Sequence, residues 1–351
     1  MTTKTKTWLV EAAVLISTFG IVFGGVMMTT KMKVWMIVAA SLILSGGLLF
    51  CAVMRSLHWD FGKLSTVRYE RNTYEITADF KDISIVTDTA DVDIYPSEDG
   101  KVTVVCVEQE KMKHMAVVRD GTLTIEVYDT RAWHEYIGIN FRRTSIRVYL
   151  PQEAYGELAV KSSTGDIYVH DAFDFESIEI SASTSDVSCW ASAERDVKIK
   201  VTTGDITLRD ASMQSADLSV TTGKVSVWSV DCREDMHIRV STGKLNLTDV
   251  SCGSLQSKGT TGDVTFKNVK VSDEISIQRT TGDVKFDDCD SGTIKVKTST
   301  GNVQGEFLTP KFVVASTSTG KIDLPQTFEG GGLCEVETST GDITIVFDSN
   351  A

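Results

Sequence analysis

Two kinds of hydrophobic pattern divide the chain. Near the N-terminus, two apolar runs, Trp8–Met28 and Val34–Met54, are nearly free of charge, with Glu11 alone interrupting the first. Each is about 20 residues, the length a helix needs to cross a hydrocarbon core. Beyond residue 158 the pattern instead alternates with period two, the mark of strands with one buried face. A short signature recurs there: two alternating apolar residues, a Ser/Thr pair, Gly, a polar residue, then two more alternating apolar residues. The Gly falls at Gly165, Gly204, Gly223, Gly243, Gly262, Gly282, Gly301, Gly320 and Gly341, and a further copy has Ser185 in its place. Successive spacings are 20, 19, 19, 20, 19, 20, 19, 19 and 21. A degenerate copy, TDTADVDIYP, carries Ala90 at the same position.

Counted from the Gly, positions −7, −5, +2 and +4 are apolar, as in Val197, Ile199, Ile206 and Leu208. The parity of the alternation changes across the Gly, so the chain must bend there, and Gly takes positive φ at such a bend without a Cβ penalty. Position +7 is also small or apolar: Ala172, Ala211, Val230, Val250, Val269, Cys289 and Leu308. That predicts a further inward corner in each repeat. One repeat cannot bury four residues alone, but stacked repeats bury a continuous strip. The expected fold is therefore all-β: a parallel β-solenoid of about ten coils of 19–21 residues, with Ile206, Val225, Leu245, Val264 and Val284 in one column. Ten layers at about 4.8 Å each make about 45–50 Å. The rival geometry makes each Thr-Gly a hairpin turn. Constant repeat length favours the solenoid, because a coil has a fixed circumference.

Residues 69–157 alternate without the 20-residue period. Val102–Glu108 and Leu123–Asp129 read as strands, and Ser97–Gly100 and Arg119–Gly121 as turns. An antiparallel cap on the membrane-proximal end is expected. The predicted organisation is an anchor over 1–57, a β-rich cap over 58–157 and the repeat solenoid over 158–351.

The two apolar runs align with each other at an offset of 27, matching Trp8 with Trp35, Gly20 with Gly47 and Met27 with Met54. Tandem duplication of one anchor explains this. Lys4 and Lys6 precede the first run, and Lys31 and Lys33 the second. Each pair favours the cytoplasm, which two consecutive spans cannot both satisfy. One or two transmembrane helices are therefore expected, and the side of the membrane stays open. Gly20 and Gly24 form a GxxxG step, and Trp59 is placed for an interfacial anchor.

Charge narrows the partners. The formal net charge of −13 argues against nucleic acid and against unaided binding to anionic lipid or anionic polymers. The residue after each corner forms a row (Asp166, Asp186, Asp205, Lys224, Lys244, Asp263, Asp283, Asn302, Lys321, Asp342) that reads as a solvated edge rather than a calcium site. The seven cysteines contain no CxxC pair and read as buried small residues. Cys232 and Cys252 lie one period apart and would stack within disulfide reach. No HExxH, GxSxG or P-loop occurs, and the five histidines are scattered. No catalytic, cofactor or metal residues are assigned. The densest aromatic and basic patch, Arg131, Trp133, Tyr136, Phe141, Arg142 and Arg143, is the candidate interaction loop. The far end, at Asp348–Ala351, shows no cap, which leaves self-association open.

The STGDI and TTGDV coils, the segment WDFGKLSTVRYERNTYEI (Trp59–Ile76) and the Lys-flanked anchor resemble the DUF4097 family, adhesin-like β-strand-repeat proteins of Firmicutes and related bacteria. The resemblance spans about residues 31–351, and Met1–Thr30, with the first apolar run, is a departure from the family's single anchor. It implies a cell-surface, right-handed-type solenoid and carries no catalytic residues. The expected function is that of a membrane-anchored, non-enzymatic binding or scaffold protein, held by the lipid bilayer and meeting a protein or cell-wall glycan. The alternatives are a cytoplasmic-facing polymerising scaffold or envelope-stress regulatory partner, and a carbohydrate-active β-helix enzyme.

Overall fold

The computed structural model describes residues 30–60, 68–132, 143–325 and 331–347. The first apolar run lies outside the described residues. The second forms helix α1, Thr30–Ser56. At 1.5 Å per residue it is about 40 Å long. It contains no proline, and the hydroxyls of Ser41, Ser45 and Ser56 each donate to the carbonyl three residues back, so their polarity is spent within the helix. Its mean hydropathy over the most apolar window is 2.4, enough to cross a membrane. Trp35, Ile43 and Leu48 are all exposed, so apolar side chains are presented on several sides of the helix. His58 and Trp59 take positive φ, and the Trp59 amide donates to the Met54 carbonyl to close the helix end.

The β region is a separate unit, over 67–137 and 143–351. Its repeat is seen in the coil around Gly204. Strand Asp196–Thr203 leads into the Gly204 corner, strand Ile206–Arg209 follows, and Asp210 makes a second corner with φ 51° before Ser212–Met213. Strand Asp196–Thr203 pairs in parallel with Ser215–Thr222 of the next coil, not with Ile206–Arg209 of its own. That rules out the hairpin geometry. Val197, Ile199, Val201, Ile206, Leu208, Ala211 and Met213 all point inward and are buried. The second corner recurs as Ser229, Asp249, Asn268 and Asp288, all with positive φ. Asp and Asn tolerate that conformation because their short polar side chains hydrogen-bond locally. The inward +7 site follows it: Ala211, Val230, Val250, Val269 and Cys289 are buried, and Ala172 and Leu308 are half-buried.

The expected column is present and longer than expected. In-register pairing runs Ile146, Val92, Ile167, Val187, Ile206, Val225, Leu245, Val264, Val284, Val303, Ile343 and Ile322. Phe266, Phe286 and Phe307 stack beside it with ring centroids 5.5 and 5.1 Å apart. One inward column changes character along the stack. After Val201, Val220 and Val240 come Gly259 and Arg279. The buried Arg279 guanidinium fills the space that a Gly259 side chain would take, and donates to the Val240 carbonyl at 2.8 Å and to Ser257 Oγ at 3.1 Å. Burial lowers its pKa to about 10, so it stays charged at neutral pH.

Layer order departs from chain order at both ends. Strands Asp82–Thr87 and Ala90–Pro96 form one coil. On one side they pair with the coil of Ala154–Thr164 and Ile167–Val169, and on the other with Thr122–Asp129 and Thr144–Leu150. The later strands therefore lie beneath the earlier ones. Below them comes the antiparallel cap: Met112–Arg119 pairs with Thr122–Asp129, Val102–Gln109 pairs with Thr144–Leu150, and Tyr69–Ile76 covers Val102–Gln109. Strand Ala154–Thr164 runs on through residue 157, the expected boundary between cap and solenoid. At the other end, Val284–Thr300 pairs with Leu333–Thr340, which in turn pairs with Phe312–Thr319. The last coil in sequence is thus tucked between two earlier ones. The outermost coil is 312–323, and this corrects the expectation that the chain's final strand forms the free end. The link over 308–311 skips a layer, about 10 Å. It is tied down by Lys311, whose buried ammonium donates to Asp290 Oδ1 at 2.7 Å.

Candidate functional site

The predicted glycines are structural. Gly165, Gly204, Gly223, Gly243, Gly262, Gly282, Gly301, Gly320 and Gly341 have φ between 127 and 156°, a region L-residues avoid. A Cβ on each would also meet the carbonyl of the corner stacked against it, as at Gly243 against Gly223. Ser185 keeps negative φ, and its hydroxyl donates to the Gly165 carbonyl instead.

The row after the corners is also structural, and its role was not legible as a charge pattern. At most corners one amide turns away from the strand ladder, and a side-chain oxygen of the neighbouring coil accepts it. The amides of Asp186, Asp205 and Lys224 donate to Asp166, Asp186 and Asp205 at 3.1, 2.8 and 2.8 Å. Asn302 and Asp342 continue the row, their amides donating to Asp283 and Asn302 at 2.7 and 2.9 Å. Lys244 Nζ reaches Asp263 at 3.1 Å, and that hydrogen bond holds the Asp263 carboxyl below its ordinary pKa. Replacing Asp283 with alanine should lower the unfolding free energy by about 1 kcal/mol, the worth of one partly solvated hydrogen bond. Lys321→Ala, which removes no such acceptor, should change it by less than half that, and urea titration of the two variants checks the difference.

Of the candidate loop, Trp133, Tyr136, Phe141 and Arg142 lie outside the described residues. Arg131 is clamped by Asp129 at 2.6 Å. Arg143 reaches Asp166 at 3.2 Å and Asp91 at 3.8 Å, at the head of the carboxylate row. Both described arginines therefore face carboxylates, and Arg143 stays largely exposed.

One metal-ligand constellation occurs among the described residues: Cys106, Glu108 and His114, whose donor atoms lie within 4.8 Å of one another. All three are buried. Glu108 accepts from Asn72 at 2.6 Å and from the His114 amide at 2.5 Å, and its Oε2 lies 2.8 Å from His114 Nδ1. His114 Nε2 lies 3.1 Å from Thr87 Oγ1. Burial pushes the Cys106 thiol up to about 12, so it holds its proton. With both imidazole nitrogens and both carboxylate oxygens engaged, the trio reads as a cross-tie between the cap hairpin and the first coil. Cys232 and Cys252 stack in register as expected, but as free thiols that burial pushes up to about 11 and about 12.

The surface feature that sequence reading missed is an aromatic strip along the second strand of the coils. Position +5 from the corner holds Tyr95, His170, Trp190, Arg209 and Trp228 in successive layers, and Tyr149 pairs with Tyr95 below them. Tyr168 joins from the adjacent column, with its ring 5.6 Å from Tyr95 and 5.3 Å from Trp190. The Arg209 guanidinium sits between two indoles, 5.4 Å from Trp190 and 5.9 Å from Trp228. Each such contact contributes about 0.5–1 kcal/mol at an exposed site. Trp228 is 45% exposed at the end of the strip. Burial raises the Tyr95 and Tyr168 pKa values, so both phenols stay protonated as donors. The strip offers ring surfaces, hydroxyls and the Arg209 cation, and its His170 Nδ1 lies 2.6 Å from Asp171 Oδ1. The signal was in the sequence, at a fixed distance from each corner, but aromatic residues counted singly look like scattered surface positions.

Several solved structures resemble the chain. A candidate adhesin from Bacteroides fragilis is 14% identical, with 80% of this chain and 97% of that one covered and a TM-score of 0.39. A second, from Parabacteroides distasonis, is 13% identical over 80% of this chain and 98% of its own, at 0.41. A third, from Parabacteroides merdae, is 13% identical over 67% and 95%, at 0.43. No curated protein matches the chain. The Toastrack DUF4097 sequence profile matches residues 80–249 and 231–351. With most of its length so matched, and with stacked coils turning on glycine corners, this chain belongs to the Toastrack DUF4097 family.

Proposed function

We propose that this chain is a membrane-anchored, non-enzymatic binding protein of the cell surface, with the aromatic strip as its ligand face and cell-wall glycan as the ligand. The observation that carries the reading is the run of Tyr149, Tyr95, Tyr168, Trp190 and Trp228 on an outward face, with Arg209 between the two tryptophans. Tyr and Trp combine a large apolar body with a polar tip and concentrate where one side of a contact is apolar and the other wet. Sugar rings offer that mixture, with an apolar C–H face and hydroxyl edges. The net charge of −13 disfavours anionic polymers as ligands. Helix α1 supplies an anchor of sufficient length.

Two measurements test this. Purified protein should co-sediment with isolated peptidoglycan, and Trp228→Ala together with Trp190→Ala should weaken binding about tenfold or more, as loss of one or two aromatic anchors does. Unchanged binding in that variant would remove the strip from the proposal. For the side of the membrane, a single cysteine at exposed Lys285 in a Cys51→Ser background should react with an impermeant maleimide on intact cells. Labelling only after lysis would instead support the cytoplasmic-scaffold reading.

A further inference from the structure

The outermost coil, 312–323, has a neighbour on one side only. Strand Phe312–Thr319 pairs with Leu333–Thr340, and among the described residues nothing pairs along its other edge. The end is also apolar. Ile322 tops the inward column yet is 44% exposed, and the outward Phe312 and Val314 are 51% and 45% exposed. A free edge strand is a template for another strand, and proteins usually block one with charge, proline or a bulge. This strand, FVVASTST, has none of these. Equivalent outward positions in most coils with two neighbours carry charge, as in Lys198 and Lys200, Lys295 and Lys297, or Glu335 and Glu337, although one interior coil carries Ser276 and Gln278. Here they carry Val314 and Ser316.

We propose that two copies of this chain join end to end through strand Phe312–Thr319, each adding its free edge to the other's sheet. Charge selects a second copy as the occupant. Two edge strands related by a two-fold axis pair antiparallel, so the residue on the axis faces its own equivalent and a charge there would meet a like charge. A strand without charge satisfies that condition. A different partner of a chain with net charge −13 would be selected by complementary charge, which this edge does not offer. The base of the solenoid is unlike this end. Its covering strand Tyr69–Ile76 carries Glu70, Arg71 and Glu75, so head-to-tail addition would set a neutral edge against a charged one. The arrangement is therefore a closed head-to-head dimer rather than a filament. In it, with Ser316 on the axis, Val314 of each copy lies opposite Ser318 of the other and is shielded from water.

The test uses the full-length chain in nanodiscs mixed from two preparations, so that copies meet between discs. Ser316→Cys, at the centre of the strand, is placed in a Cys51→Ser background and oxidised with copper phenanthroline. A disulfide-linked dimer is expected on non-reducing gels. Lys200→Cys, at the same position of an interior coil, should give at least tenfold less. Adding Val314→Lys should reduce the Ser316→Cys dimer at least tenfold. Ser318→Lys, nearer the strand end, repeats the test in case Val314→Lys fails to fold, which circular dichroism reports. Equal crosslinking at positions 316 and 200, or a Ser316→Cys product that persists in both lysine variants, would overturn the proposal. So would a monomeric Ser316→Cys protein at all concentrations.

Discussion

Replacing Gly243 with alanine should lower the unfolding free energy by about 3–5 kcal/mol, combining the cost of a Gly-only backbone conformation with that of overpacking. Gly243 has φ 140°, and a Cβ there would meet the Gly223 carbonyl oxygen and lie 2.7 Å from its carbon. Backbone cannot rotate aside as a side chain can, so two coils would have to separate locally. Each coil's stability rests on its neighbours, so the damage is shared along the stack. Gly121→Ala is the control. Gly121 also has positive φ, at 78°, but nothing lies within 4 Å of its added Cβ. It should lose only about 1 kcal/mol, the left-handed penalty alone. Thermal or urea unfolding of the two variants separates backbone conformation from stacking. Equal losses would show that the approach of neighbouring corners contributes nothing.

Glu108→Gln should destabilise the protein by up to about 3 kcal/mol at neutral pH, as loss of a buried carboxylate that satisfies several donors does. Burial by itself would raise the Glu108 pKa, but the hydrogen bonds from His114 and Asn72 outweigh it and the net shift is downward from 4.5. The sign of the pH dependence follows. A carboxyl with a depressed folded pKa binds its proton more readily in the unfolded chain, so its stabilisation is full above pH 4.5 and is lost as pH falls through the folded value. The gap in unfolding free energy between wild type and Glu108→Gln should therefore be constant near neutrality and close below pH 4.5. A gap that stays level as the pH drops below that point would show that the glutamine is merely a poor fit and that the carboxylate charge adds nothing. The effect should be felt at the cap, because Thr87 and His114 join the hairpin to the first coil.

The glycan and end-to-end proposals use different surfaces. The strip lies on the outward face of the lower coils, from Tyr149 to Trp228, and the free edge is strand Phe312–Thr319. Loss of one should leave the other intact. If both hold, a head-to-head pair would present two strips, and linked sites raise apparent affinity without any new contact.

The rungs were written in the sequence alone. Alternation of period two and the glycine at 19–21-residue intervals determined that Ile206, Val225, Leu245, Val264 and Val284 would stack, because both signals are local and each coil needs only its neighbour to bury them. Helix α1 was equally legible, since 20 apolar residues have few other fates. Only the tertiary structure decided which coil follows which. Repeats with similar edges can pair in any order, so pattern does not reveal that 333–347 tucks inside 312–323, or that 122–129 and 144–150 lie beneath 82–96. The roles of the surface rows were hidden for the same reason. Asp283 as an amide acceptor and Arg209 between Trp190 and Trp228 are relations between layers, and they exist only once the layers are stacked.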